Sequence, residues 1–164
     1  MRLIYFFNLL LVLVLLGVSF YLQLYKGVLP CPLCILQRIA MAGLGVIFLL
    51  GVFFSRQYWG RFFINISALL FSILGVLLAS RQVWLQRFPT AQEGECSVSL
   101  QYMLQTFPLR EVIQKVLQGG AECMQVGEQF LALNLAEWAL LWFMVFFCMS
   151  FYFCLSNKKT TFRS

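Results

Sequence analysis

Apolar residues fill four long stretches of the chain, about Leu3–Leu24, Ile35–Phe54, Phe62–Ser80 and Leu135–Leu155. Each is close to the ~20 residues that a helix needs to cross the hydrocarbon core of a bilayer. The period-two alternation of a barrel strand is missing. Backbone groups in lipid must be satisfied within their own segment, so helices are expected. The polar residues collect in three connections: a short loop over Tyr25–Cys34, a short turn over Ser55–Arg61 and a long loop over Arg81–Asn134. The pattern predicts an all-α four-helix transmembrane bundle, a single domain over residues 1–164 with one large insertion and no internal repeat. Arg2 and Gly17-Val18-Ser19 sketch a signal peptide, but the apolar run between them is long for one, and the first span is expected to remain uncleaved.

Within the long loop the period changes. Leu109, Val112, Ile113, Val116 and Leu117 follow the i, i+3, i+4, i+7, i+8 spacing of an amphipathic helix, opposite Arg110, Glu111, Gln114, Lys115 and Gln118. Pro108 suits its start and Gly119-Gly120 its end. The apolar side can lie on the membrane surface or pack as a small cap on the span ends.

Composition sharpens the picture. Of the 164 residues, 62% are hydrophobic and 11% charged, against ~25% charged in a soluble domain. Histidine and aspartate are both missing, which argues against histidine-ligated metal or haem and against His-based catalysis. Arg2, Arg56, Arg61, Lys158, Lys159 and Arg163 share one side of a four-span chain with no acid. The other side balances Lys26, Arg38, Arg81, Arg87, Arg110 and Lys115 against all six Glu, so the whole net charge of +6 lies on one face. The positive-inside rule makes that face, with both termini, cytoplasmic and the long loop periplasmic. There is no dense basic stripe, so the lipid bilayer is the expected partner and nucleic acid is not. Tyr21, Tyr25, Tyr58, Trp59, Trp84, Trp138 and Tyr152 fall near span ends, as interfacial residues should. Ala68, Ser72, Gly75 and Ala79 make a small-residue stripe that predicts a packing seam. The sequon Asn65-Ile66-Ser67 lies inside a span and is dismissed as a modification site.

The cysteines carry the candidate chemistry. Cys148 and Cys154 lie inside the last span on different faces and read as small apolar fillers. Cys31, Cys34, Cys96 and Cys123 fall on the outer side, where an oxidising compartment allows disulfides. Cys31-Pro32-Leu33-Cys34 is a C-x-x-C at a helix start, open to redox or zinc readings. Redox is favoured, because Cys96 and Cys123 form no second C-x-x-C. Pro32 suits the first helical turn, and the helix N-terminus favours a thiolate at Cys34. Arg38, one turn on, can stabilise that thiolate, polarise an electron acceptor beside it, or merely snorkel to headgroups. A bridge between Cys96 and Cys123 would close a loop of about 28 residues and stabilise by ~3–4 kcal/mol. As a second adjacent pair, these two could instead exchange electrons with the first through mixed disulfides.

Taken together, the run from Cys31 to Arg38, Trp84-Leu85-Gln86, the pair Cys96 and Cys123, and the stretch from Phe130 to Trp138 resemble the DsbB family of membrane disulfide-generating oxidoreductases. The resemblance covers nearly the whole chain. It implies that Cys96 forms a mixed disulfide with a periplasmic DsbA-like thioredoxin-fold protein, and that Cys123 is its loop partner and exchanges with Cys31. It further implies that Cys34 reduces a membrane quinone, ubiquinone or menaquinone, with Arg38 beside it. Gln82 stands where some members carry a histidine near the quinone, and Ala132 and Ala136 stand where Gly and Pro are common. A vitamin K epoxide reductase-like enzyme ranks second, because its loop cysteines precede the C-x-x-C. A non-enzymatic four-span protein with a zinc-bound cysteine cap is a further alternative. A transporter fits less well, because the spans lack paired buried acids.

Overall fold

The computed structural model describes residues 2–26, 31–54, 58–88, 105, 107–108, 110–112, 129–130 and 133–161. Four long helices make up nearly all of it: α1 (Arg2–Lys26), α2 (Pro32–Phe54), α3 (Tyr58–Arg87) and α4 (Leu135–Thr161). All four are long and apolar enough to cross a membrane. A two-residue antiparallel ladder, β1 (Gln129–Phe130) with β2 (Leu133–Asn134), precedes α4, pairing Gln129 with Asn134 and Phe130 with Leu133.

The helices outrun the expected spans. Hydropathy falls at Arg81, yet α3 runs on to Arg87 and the Phe88 N–H still donates to the Trp84 carbonyl at 2.9 Å. The extra turns persist because Gln82 and Leu85 are buried against the bundle while Trp84 and Arg87 face outward. Gln82 therefore belongs to a helix and not to the loop. At the start of α4 the Asn134 N–H donates to Glu137 Oε2 at 3.1 Å, the reach-back half of a capping box. Glu137 also accepts from Arg87 Nη2 at 2.8 Å, tying the end of α3 to the start of α4.

Helix α1 packs on α2, α2 on α3, and α3 on α4. The central core joins all four: Tyr5 and Val12 from α1, Leu44 and Phe48 from α2, Ile64 and Ala68 from α3, Phe143 and Phe146 from α4. The expected seam is filled as the small residues require, with Ala68, Ser72, Gly75 and Ala79 all buried. A Cβ on Gly75 would run into the ring of the fully buried Phe143, so glycine is what lets α4 approach. Asn65 of the dismissed sequon is buried and accepts a hydrogen bond from Tyr5 Oη at 2.9 Å, which gives the polar residue its structural reason. Lipid-facing side chains such as Phe7, Ile39, Phe53, Phe63 and Leu77 are exposed on the bundle's outside. Cys148 is also on that outside, so it fills no gap in the protein core, whereas Cys154 is half-buried.

Of the predicted loop helix, residues 110–112 are described and helical. The N–H groups of Glu111 and Val112 both donate to the Pro108 carbonyl, at 2.9 and 3.2 Å, so the helix begins where proline suits it. Glu111 is exposed and Val112 is 4% exposed, matching the expected polar and apolar faces. Val112 packs with residues of α2 and α3, so this turn caps the bundle end. Leu109, Ile113 to Gly120 and the two loop cysteines, Cys96 and Cys123, lie outside the described residues.

Candidate functional site

The C-x-x-C forms the first turn of α2. Cys31 is the residue before the helix, and its carbonyl accepts the first intrahelical bond, from Ile35 N at 3.1 Å. Its sulfur accepts the Cys34 N–H at 3.3 Å, the position that a capping oxygen usually takes. Pro32 occupies the first helical position, where its missing N–H costs nothing. Capping thus folds the two sulfurs toward each other, and Cys31 Sγ donates to Cys34 Sγ at 2.8 Å. Cys31 is buried and Cys34 half-exposed.

Helix α3 supplies the facing wall. Gln82 Nε2 donates to Cys34 Sγ at 3.1 Å and to Cys31 Sγ at 3.6 Å. Its amide oxygen accepts from Gln37 Nε2 at 2.7 Å. Gln37 and Gln82 are both buried, so the pairing satisfies groups that would otherwise be costly there. Leu33, Leu78, Leu85 and Val112 complete an apolar cluster around Cys31, with Cys34, Leu36 and Phe107 packed against it. The start of the loop helix therefore lies over the cysteine pair.

Arg38 is directed elsewhere. Its Nε donates to Ser19 Oγ at 2.9 Å, its Nη2 to the Ser19 carbonyl at 3.3 Å, and its Nη1 to Gln23 Oε1. The guanidinium also lies 5.1 Å from the centre of the Phe20 ring. All three nitrogens are engaged by α1, so Arg38 does not snorkel freely, and none of its hydrogen bonds among the described residues goes to a sulfur. Of the sequence-predicted site residues, the structure brings Cys31, Cys34 and Gln82 together and sets Arg38 on the α1 side of α2. Sequence reasoning missed Gln37 as a partner of Gln82, and Ser19 and Gln23 as partners of Arg38. Ser19 and Gln23 are polar residues one helical turn apart in an apolar span, a spacing that could have shown them.

The family model described as disulfide bond formation protein DsbB matches residues 1–153. The chain belongs to the DsbB family. A disulfide bond formation protein B of Hahella chejuensis is 39% identical over 145 residues, covering 88% of each chain. One of Stutzerimonas stutzeri is 38% identical over 129 residues, covering 79% of each, and one of Nitrosococcus oceani is 33% identical over 143 residues, covering 87% of this chain and 85% of its own. The protein is thus a multi-pass membrane protein of the DsbB family, and Cys31, Cys34, Arg38, Gln82, Cys96 and Cys123 all fall within the matched residues.

The surroundings of Cys34 also fit a quinone. The pair is walled by leucines, Gln82 offers an amide N–H at the sulfurs, and Gln86, one turn further along α3, keeps a buried amide oxygen with no hydrogen-bond partner among the described residues. An N–H donor and an open acceptor on an apolar wall suit the carbonyl and hydroxyl forms of such a ring.

Proposed function

We propose that this protein reoxidises a periplasmic DsbA-like thiol oxidase and passes the electrons, through Cys96–Cys123 and then Cys31–Cys34, to membrane quinone. The observation that carries the reading is the Cys31–Cys34 pair capping a membrane helix, one sulfur buried and the other half-exposed, with an amide donor on both. The membrane is the bacterial inner membrane, both termini face the cytoplasm, and the redox loops face the periplasm.

In the first step, a partner thiolate attacks the Cys96–Cys123 disulfide at Cys96 and releases Cys123 as a thiolate. The partner's second thiol resolves the mixed disulfide. The partner leaves oxidised, and the loop pair holds its two electrons. Cys123 then attacks the Cys31–Cys34 disulfide at Cys31, and Cys34 leaves as the thiolate. Cys96 closes on Cys123 and frees Cys31, so the two electrons now lie on the C-x-x-C. A bound quinone would supply the terminal acceptor for two electrons and two protons, with Gln82 and the N–H groups of Arg38 that α1 does not engage as the residues to hold it. Gln82 stabilises negative charge on Cys34 by hydrogen bonding, and the leucine wall excludes water from the pair.

The energetics explain why such an acceptor belongs in the scheme. A DsbA-like oxidant has a potential near about −120 mV, while ordinary structural disulfides lie below about −300 mV. An ordinary loop disulfide would face a gap of about 180 mV, or roughly 8 kcal/mol uphill. Coupling to a strong oxidant draws the exchange forward.

Thiol trapping in membranes tests the scheme. With Cys123→Ser, a disulfide-linked complex with the thioredoxin-fold partner should accumulate through Cys96 and disappear when Cys96 is also replaced by Ser. Removing quinone should leave all four cysteines reduced. A complex that persists without Cys96, or cysteines that stay oxidised without quinone, would reject the order of the relay.

A further inference from the structure

Two buried amides stand in series with the cysteine pair. Gln37 Nε2 donates to Gln82 Oε1 at 2.7 Å, and Gln82 Nε2 donates to the sulfurs at 3.1 and 3.6 Å. An amide has a donor end and an acceptor end, so what holds one end decides what the other presents. With its oxygen held by Gln37, Gln82 can only turn its N–H groups toward the sulfurs. Released from Gln37, it can rotate and set its oxygen against them. A thiolate accepts hydrogen bonds strongly, and a disulfide sulfur does so weakly. The series therefore acts unequally on the two redox states.

We propose that Gln37 is a positioning residue that fixes the Gln82 amide as a hydrogen-bond donor, stabilises the reduced Cys31–Cys34 pair and so makes its disulfide the stronger oxidant. The proposal rests on the redox role given to this pair under Proposed function. A disulfide becomes more oxidising when its reduced form is stabilised. Gln37 meets no sulfur itself among its described hydrogen bonds and acts through Gln82.

The test equilibrates the purified, quinone-free full chain with glutathione buffers. Two glutathione thiols give up two electrons and two protons to form one disulfide, and the protein disulfide takes them to become the dithiol. Acid quenching, alkylation and peptide mass spectrometry then read Cys31 and Cys34 separately from the loop cysteines. Gln82→Met should raise the [GSH]²/[GSSG] needed for half reduction by about tenfold, the scale of one charge-assisted hydrogen bond. Gln37→Met should raise it by about three- to tenfold. The double variant should shift no further than Gln82→Met alone, because the two residues act in series. Gln37→Asn keeps an amide in place but withdraws it by one methylene, and it should shift the midpoint in the same direction. A midpoint equal to wild type in Gln37→Met or Gln37→Asn would overturn the proposal, as would additive shifts in the double variant. A wild-type pair that never titrates with glutathione would instead overturn the redox role itself, and this inference with it.

Discussion

Val112 connects the long loop to the cysteine pair, and shortening it should expose the pair. The residue is 4% exposed and packs in one cluster with Cys31, Leu33, Leu78 and Leu85, against which Cys34 and Phe107 also lie. Val112→Ala removes two buried methyl groups at ~0.8 kcal/mol each, or roughly 1.6 kcal/mol of docking energy. At about 1.4 kcal/mol per tenfold, the equilibrium for local loop opening should move by roughly tenfold toward the open state. When opening is fast compared with chemical attack, the modification rate follows that equilibrium. The assay is the rate of maleimide labelling of the reduced protein, resolved by peptide for Cys31 and Cys34. Cys31, the more buried sulfur, should show the full increase, and the partly exposed Cys34 a smaller one. Leu140→Ala, at the partly buried edge of the central core and away from the cysteine cluster, is the control and should leave both rates near wild type. Equal Cys31 labelling in wild type and Val112→Ala would refute the reasoning, since the loop turn would then not cover the sulfur.

Other expectations are more direct. Quinone reduction followed by stopped-flow absorbance should slow less in Arg38→Lys than in Arg38→Met, because Lys keeps the charge but loses the planar fork; Ser19→Ala with Gln23→Leu should give part of the same loss by releasing the guanidinium. Gly75→Leu should drive a side chain into the Phe143 ring at a cost of about 1–3 kcal/mol, lowering the thermal midpoint in detergent by on the order of 5 °C. A reporter fused after Ser164 should behave as cytoplasmic and one inserted near Gln92 as periplasmic; the reverse would overturn the proposed compartment for the redox loop. Cys31→Ser should retain the melting temperature of wild type, whereas Cys31→Ala should lose about 1 kcal/mol with the cap.

The four spans were legible because lipid leaves few alternatives to a long apolar helix, and the C-x-x-C was legible because its spacing is local. Helix ends were less so. Hydropathy drops at Arg81, but α3 continues for as long as Gln82 and Leu85 find a buried face, and a linear scan does not see that face. The same blindness hid the partner of Gln37. Its contact with Gln82 joins residues 45 positions apart on different helices, and nothing in either local pattern specifies the pairing. Arg38 shows what spacing leaves open. Its i, i+4 spacing from Cys34 suggested a partnership along α2, yet its donors cross to Ser19 and Gln23 on α1. Spacing along one helix fixes a face, but the neighbouring helix decides where a long side chain spends its hydrogen bonds.

Cys31 shows how closely the chemistry is built into the fold. Its sulfur is at once the cap of α2, a thiol partner of Cys34 and an acceptor for Gln82. A helix start leaves its first N–H groups without intrahelical partners, and one of these, from Cys34, is met by the sulfur to which the exchange is assigned in the proposal. Backbone capping therefore holds the two sulfurs in contact while α2 is folded, and Pro32 between them limits the backbone freedom that would let them part. Proximity of this kind lowers the entropic cost of closing a disulfide, because the ends are already together. The apolar span behind Cys34 then does more than anchor the protein. It fixes the direction of the helix N-terminus on which the pair depends, with one sulfur under the loop cluster and the other half-exposed beside it.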